Sequence, residues 1–336
     1  MAGRRTIWYM LGTFFLVAMA LLLGLGYYLM TPIEPAVPPK IFLVEHGASL
    51  SRVAHKLEEE GVIRNKWLFV LWARLNGAES KIKSGEYLLG PSMPPIKVLS
   101  VLIKGKVVVH PVTVPEGFTA EQIAELLEKK GLADKKLFME LVNDPDFARS
   151  LKVPSSRLEG YLYPDTYHFN IGLPPKLIVA EMVTRFWEVM EPFLKAVESS
   201  GLTLHQVVTL ASIVEKETGK AEERPIIASV FLNRLKKGMR LESDPTVIYG
   251  LKEFDGNLTH KHLASKTPYN TYVIKGLPPG PIANPGIESI KAVLNPARSN
   301  FLYFVSRNDG THHFSSTLKE HNQAVYKFQK RKKRPK

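Results

Sequence analysis

Hydrophobic residues fill one stretch of this chain before any periodicity begins. From Ile7 to Met30, "IWYMLGTFFLVAMALLLGLGYYLM", no residue is charged. A helix of that length reaches ~36 Å, enough to cross a hydrocarbon core of about 30 Å. Beyond it the pattern becomes periodic and repeats. "VEHGASLSRVAHKLEEEGVI" (44–63) and "VPEGFTAEQIAELLEKKGLA" (114–133) align without a gap. In each copy a β-branched strand (Ile41–Val44; Val112–Val114) enters a glycine turn. Ser49 or Thr119 then caps a helix whose apolar residues recur at helical spacing: Leu50, Val53, Ala54 and Leu57 in one, Ile123, Ala124 and Leu127 in the other. Gly61 and Gly131 close the two helices.

The first copy continues through a second helical stretch, "NKWLFVLWARLNG". It then reaches a strand, a proline turn and another helix in "SGEYLLGPSMPPIKVLSVLIKG". From about residue 136 the texture changes. The tyrosine-rich "LEGYLYPDTYHF" (158–169) reads as a loop or strand, and an amphipathic helix is expected from Pro175 to Ser199. A mostly apolar helix follows from Leu204 and ends in "LASIVEKETG". A helix over Ile287–Leu294 and a strand in "FLYFVS" (301–306) complete the pattern. The expected fold class is α+β: an N-terminal transmembrane helix, a small α/β subdomain and a mixed α+β domain.

Composition narrows the setting. An apolar content of 45% and a charged content of 23% are those of a globular protein. The absence of cysteine excludes disulfides, thiolate metal sites and thiol nucleophiles. The net charge of +13 points to an anionic partner. Arg4 and Arg5 precede the apolar span, which places the N-terminus in the cytoplasm and the rest outside the cytoplasmic membrane. A cleavable signal peptide would have a shorter apolar core and a small-residue cleavage site, which "TPIEPAVPPK" does not supply. Nucleic acid therefore drops out as a partner, and cell-wall polymer or lipid headgroup comes in. The four prolines of residues 31–39 suggest a stiff stalk, and "KRKKRPK" a solvated basic tail.

Glu215 and Glu217, at the end of the apolar helix, raise the question of chemistry. Both project from apolar faces, so periodicity does not choose between them. A carboxyl in the last helical turn meets the negative end of the helix dipole, and burial adds to the effect. Both raise the pKa, as a general acid for a glycosidic oxygen requires. The plainer alternative is a solvated helix end with Lys216 as an ordinary neighbour. Glu242 and Asp244 stand before a proline turn in "MRLESDPTVIYG". "TPYNTYVIKGLPPGPIANPG" gathers Tyr269, Asn270, Thr271 and Tyr272, rings and amides of the kind that bind sugar, although Gly and Pro also mark ordinary rigid loops. The histidines at 260, 262, 312 and 313 come without HExxH spacing or a compact carboxylate set, so neither metal nor cofactor is expected.

The run "ASIVEKETG … ERPIIASVFLNRLKKGMRLESDPTVIYG … TPYNTYVIKGLPPGPIANPG … HHFSSTLKEHN", with "LEGYLYPDTY" and the N-terminal anchor, resembles the endolytic murein transglycosylase (YceG-like) family. The repeat region is similar to LysM-type wall-binding modules, with a spacer that binds nothing as the alternative. The resemblance implies a bitopic membrane enzyme that cuts peptidoglycan strands at the MurNAc–GlcNAc β-1,4 bond and leaves 1,6-anhydro-MurNAc ends. It makes Glu217, the second glutamate of "EKET", catalytic: it protonates the leaving O4 and then accepts the proton of the C6 hydroxyl. Tyr272, Tyr269 and Asn270 would orient the sugar, Asp244 would help hold the site, and Glu215 would be structural. Peptidoglycan synthases are the implied partners. The division expected is a cytoplasmic end (1–6), anchor (7–30), stalk (31–39), LysM-like repeat region (40–135), catalytic domain (136–326) and basic tail (327–336).

Overall fold

The structure is a computed structural model that describes residues 2–330 except Lys252. The basic tail beyond Lys330 lies outside the described residues, as does Met1 at the other end. Within them the chain forms two compact units, each built around its own core.

Unit 1 runs to Pro111 and takes in residues 168–174. It opens with helix α1 (Ala2–Met30), long and apolar enough to cross a membrane between Ile7 and Met30. The helix continues into the folded unit: Tyr28 and Leu29 are buried, and the Tyr28 hydroxyl donates to the Asn65 carbonyl at 2.7 Å. The proline-rich segment 31–39 does not stand clear as a stalk. The Ile33 and Glu34 amides donate to the Pro91 carbonyl at 2.8 and 3.0 Å, and Arg64 donates to the Pro32 carbonyl. These bonds tie the segment to the unit although most of it is exposed.

Strand β1 (Lys40–Val44), helices α2 (Leu50–Glu59) and α3 (Lys66–Leu75), strand β2 (Gly85–Leu89) and helix α4 (Pro95–Lys104) follow. The two strands pair antiparallel, Phe42 opposite Tyr87 and Val44 opposite Gly85. The period-2 alternation turns Phe42, Val44, Tyr87 and Leu89 toward Leu57, Phe69, Val98 and Leu102 in one core.

Strand β3 (His110–Thr113), helices α5 (Ala120–Lys129), α6 (Lys135–Val142) and α7 (Pro145–Ser150), and strand β4 (Thr166–Phe169) come next, β3 pairing with β4. The two copies of the sequence repeat share their backbone. Gly61 and Gly131 take φ of 71° and 68°, the left-handed conformation that costs glycine little. Ser49 accepts from the Arg52 amide, and Thr119 from the Gln122 amide. Leu57 and Leu127 are both fully buried, worth about 2 kcal/mol each. The copies nevertheless belong to different units, so the expected 40–135 region is not one body. The second copy has its own packing partners: α5 lies on α6, α6 on helix α8 (Pro175–Met190), and the α5 N-terminus rests on Glu159.

The rest of unit 2 comprises helices α9 (Leu194–Ser200), α10 (Leu204–Glu217), α11 (Arg224–Lys236), α12 (Asp244–Gly250), α13 (His260–Leu263) and α14 (Ile287–Leu294). Strands β5 (Tyr303–Ser306) and β6 (His312–Ser315), paired antiparallel, and helix α15 (Leu318–Val325) complete it. The single helix expected over 175–199 is broken at Glu191–Phe193, where Pro192 lacks the amide that continued α-helix requires. Residues Tyr326–Lys330 form a π-helical turn, so the first residues of the tail expected from 327 are helical. Helix α10 is the centre of unit 2: every residue from Val207 to Val214 is buried, and α11 and α14 pack against it.

Candidate active site

Thr203 and Gln206 cap the start of α10 reciprocally, and the helix runs through the core to end at Glu217. The next residue, Thr218, is extended, so the last turn stops abruptly with two glutamates on different faces. Their environments differ sharply. Glu215 is held between the Arg224 guanidinium (3.0 Å) and the Gly286 amide (3.0 Å), its side chain only 6% exposed. Every oxygen it offers is in use. Glu217 faces a cavity of about 450 Å³.

The residue is half-buried, yet its carboxyl sits among enough protein atoms for desolvation to dominate its titration. Burial pushes the carboxyl up to about 7, the Asp244 charge adds to the shift, and the Ser243 hydroxyl and Arg234 oppose it. Ser243 donates from Oγ to Glu217 Oε1. The segment that carries Ser243 is firmly fixed. Its amide donates to Thr271 Oγ1 at 3.0 Å, the Glu242 amide donates to the Thr271 carbonyl at 3.2 Å, and Thr246 Oγ1 lies 2.8 Å from Thr271 Oγ1. Arg234, from α11, gathers the same loop by donating to the Arg240 and Leu241 carbonyls and to Glu242 Oε2 (3.1 Å). Glu242 holds a φ of 51°, uncommon for a residue with a side chain, and is fixed at both its amide and its carboxylate.

Asp244 begins α12 and accepts the Tyr272 hydroxyl at 2.6 Å; both line the cavity beside Glu217. More of the lining comes from β5, β6 and α15: Phe304, Val305, Ser306, His312 and His321. His312 Nδ1 lies 2.7 Å from Glu223 Oε2, while the His312 amide donates to Glu223 Oε1 at 2.7 Å. His321 stacks on Tyr303 with ring centroids 5.2 Å apart, and burial, with the Arg234 charge, pushes its imidazole below the ordinary value.

Of the residues expected to bind sugar, the structure brings Tyr272 and Asp244 to the cavity with Glu217. Asn270 is fully buried and turned inward: its amide nitrogen donates to the Leu263 and Ser265 carbonyls, and its oxygen accepts from the Tyr272 amide. It shapes the loop that presents Tyr272. Tyr269 packs edge-on against Tyr249, ring centroids 4.8 Å apart, and is not among the residues lining the Glu217 cavity. The structure adds Ser243, Arg234, His312 and His321 to the site, of which the sequence raises only His312, and that as a candidate metal ligand. The "HHF" and "EHN" histidines stood in plain view, but their nearness to Glu217 is a matter of tertiary packing.

The profile of the YceG-like family matches residues 42–327. The chain belongs to the YceG-like family. This YceG-like chain is 33% identical to an endolytic murein transglycosylase of Bacillus subtilis, over 90% of its own length and 89% of that protein's. A Streptococcus pneumoniae protein of the same name is 29% identical over 93% of this chain, which spans 64% of that longer relative. The crystal structure of a yceG-like protein from Listeria monocytogenes shares 35% identity and a TM-score of 0.59, covering 84% of this chain and 98% of that one.

Proposed function

We propose that the chain is an endolytic murein transglycosylase that cleaves the MurNAc–GlcNAc β-1,4 bond inside peptidoglycan strands. The observation that carries this reading is a half-buried Glu217 on a 450 Å³ cavity, its carboxyl raised to about 7 by burial, so that it holds a transferable proton near neutral pH. The other carboxylates of the cavity are engaged, Asp244 by Tyr272 and Glu242 by Arg234. An ordinary glycosidase needs a second carboxylate free to attack or to activate water. A single acid suffices when the nucleophile is the sugar's own C6 hydroxyl, because intramolecular attack has a high effective molarity. Glu217 protonates O4 of the leaving GlcNAc, C6–O closes on C1, and the MurNAc end leaves as a 1,6-anhydro sugar. Tyr272, held by Asp244, offers a ring and a hydroxyl to the bound saccharide, with Asn270 setting its loop and Tyr269 bordering the same segment.

On this reading Ile7–Met30 anchors the chain once in the cytoplasmic membrane, with the N-terminus inside and the catalytic unit outside. The cut ends strand elongation beside peptidoglycan synthases. The LysM-like repeat copies serve as glycan-facing or spacing elements. Digestion of purified peptidoglycan followed by mass analysis of the strand ends tests the reaction. Ends one water lighter than reducing MurNAc are expected, and reducing ends alone would assign a hydrolase instead.

A further inference from the structure

The proposed reaction moves two protons, one onto O4 and one off the C6 hydroxyl, and the site holds more than one group able to accept the second. Glu217 is an awkward acceptor. Its Oε1 is occupied by the Ser243 hydroxyl, so its Oε2 would have to give a proton to O4 and then take one from O6. His312 lines the same cavity and is differently equipped.

The imidazole is fixed from behind. Nδ1 lies 2.7 Å from Glu223 Oε2, and Glu223 also accepts the His312 amide at 2.7 Å and the Thr218 hydroxyl at 3.3 Å. Thr218 directly follows Glu217, so this anchor is continuous with the end of the helix that carries the acid. The ring meets Phe304 edge-on at 5.4 Å, and the side chains of His312 and Glu223 are only 14% and 12% exposed. Burial pushes the Glu223 carboxyl up, but the His312 bonds outweigh it and hold the carboxyl below its ordinary value, so it is ionised. In the neutral ring, a carboxylate at Nδ1 places the proton on that nitrogen and leaves the lone pair on Nε2. The hydrogen bond that fixes the ring is made through Nδ1.

We infer that His312 is a second catalytic residue, a general base that takes the C6 hydroxyl proton through Nε2, with Glu223 as its positioning residue. The inference rests on the transglycosylase reading and reassigns one of its proton transfers. The C1–O4 bond breaks, and its electron pair goes to O4 together with the Glu217 proton. An O6 lone pair forms the C1–O6 bond, and the O6 proton passes to His312 Nε2. The imidazolium is stabilised by the Glu223 carboxylate, as in a carboxylate–histidine pair that serves a nucleophilic hydroxyl. The proton then returns through solvent to the Glu217 carboxylate, and no water is consumed.

The test is the partition of products from purified glycan strands cut by the full-length wild type and by His312→Asn, His312→Gln and His321→Gln. The wild type should give anhydro ends. Both His312 variants should still break the bond through Glu217, while anhydro-end formation slows by about 10²-fold and reducing ends, from attack by water, become the majority. Glu223→Gln, which can still accept from Nδ1 but carries no charge, should shift the partition the same way by a smaller factor. Slower cleavage with an unchanged anhydro fraction would make His312 structural and overturn the inference. So would a shifted partition in His321→Gln but not in the His312 variants. Wild-type digests without anhydro ends would overturn the transglycosylase reading itself, a failure visible before any variant is compared.

Discussion

Replacing Ser243 by alanine tests how the acid is tuned. Ser243 Oγ donates to Glu217 Oε1 and so favours the carboxylate, opposing the burial that raises the carboxyl to about 7. Hydrogen bonds to charged groups contribute about 1.5–3 kcal/mol, and 1.36 kcal/mol corresponds to about one pH unit. The neutral acid loses part of the same bond, which places the net change near the low end, an upward shift of about one unit. The active form of a general acid is the protonated one, so activity falls as pH rises through its pKa. The basic limb of kcat/KM should therefore centre near pH 7 in the wild type and about one unit higher in Ser243→Ala. Backbone disruption is not expected to confuse the result, because the residue 243 amide keeps its bond to Thr271 Oγ1 at 3.0 Å. The assay is strand-end formation from purified peptidoglycan across pH 5–9. A limb that stays in place or moves to lower pH would refute the assignment of Glu217 as the proton donor.

Asp244→Asn should move the same limb the other way, to lower pH, because the Asp244 charge adds to the elevation of Glu217; an upward shift would contradict this. Glu159 is 7% exposed, and burial pushes it up to about 7 despite bonds from the Ala120 amide, Tyr249 and Asn284. A carboxyl raised above its unfolded value stabilises the fold below that value, and the stabilisation is lost as pH rises through the folded pKa. The melting temperature should thus fall between about pH 4.5 and 7, and Glu159→Gln should flatten the slope, by an amount equivalent to about 3 kcal/mol; an unchanged slope in calorimetry would count against it. Glu215→Ala leaves the Arg224 guanidinium, whose side chain is 13% exposed, with only the longer pair to Glu116 at 3.7 Å, and should cost about 3 kcal/mol in denaturant unfolding, a loss under 1 kcal/mol being inconsistent with a buried pair. Gly160→Ala should be worse tolerated than most glycine changes, since φ is 88° and a Cβ would come within 2.4 Å of Pro281; a wild-type melting curve would show that loop to be more pliant than its packing implies.

Much of the fold was legible because local chemistry and tertiary packing agree. The Ser49 and Thr119 caps, the glycines after α2 and α5, and the helix over Ile287–Leu294 all form where the pattern places them. The break at Pro192 was written in the sequence too, but it was outweighed by the apolar periodicity that continues on both sides. The boundary between units was not legible. The second repeat copy looks like the first along the chain, and only its distant partners, Glu159 and α6, assign it to unit 2.

The site divides in the same way. That a carboxyl at the end of an apolar helix would be raised follows from position alone. Which glutamate is free does not, because the groups that occupy Glu215, Arg224 and the Gly286 amide, approach from α11 and from the loop before α14. Asn270 sits in the stretch expected to bind sugar, but its amide is used by the carbonyls of Leu263 and Ser265. Tyr272, two residues on, reaches the cavity. His312 gave no signal by spacing, since Glu223 meets it only when β6 returns to the start of α11.

The most direct measurement is the rate at which full-length Glu217→Gln cuts purified glycan strands, counted as new strand ends against the wild type at pH 6. Glutamine keeps the shape of the side chain and can still accept from Ser243, but it has no proton to give to O4. Cleavage should fall by about 10²–10⁴-fold while the circular dichroism spectrum stays the same. A variant that produces ends at the wild-type rate would contradict the account.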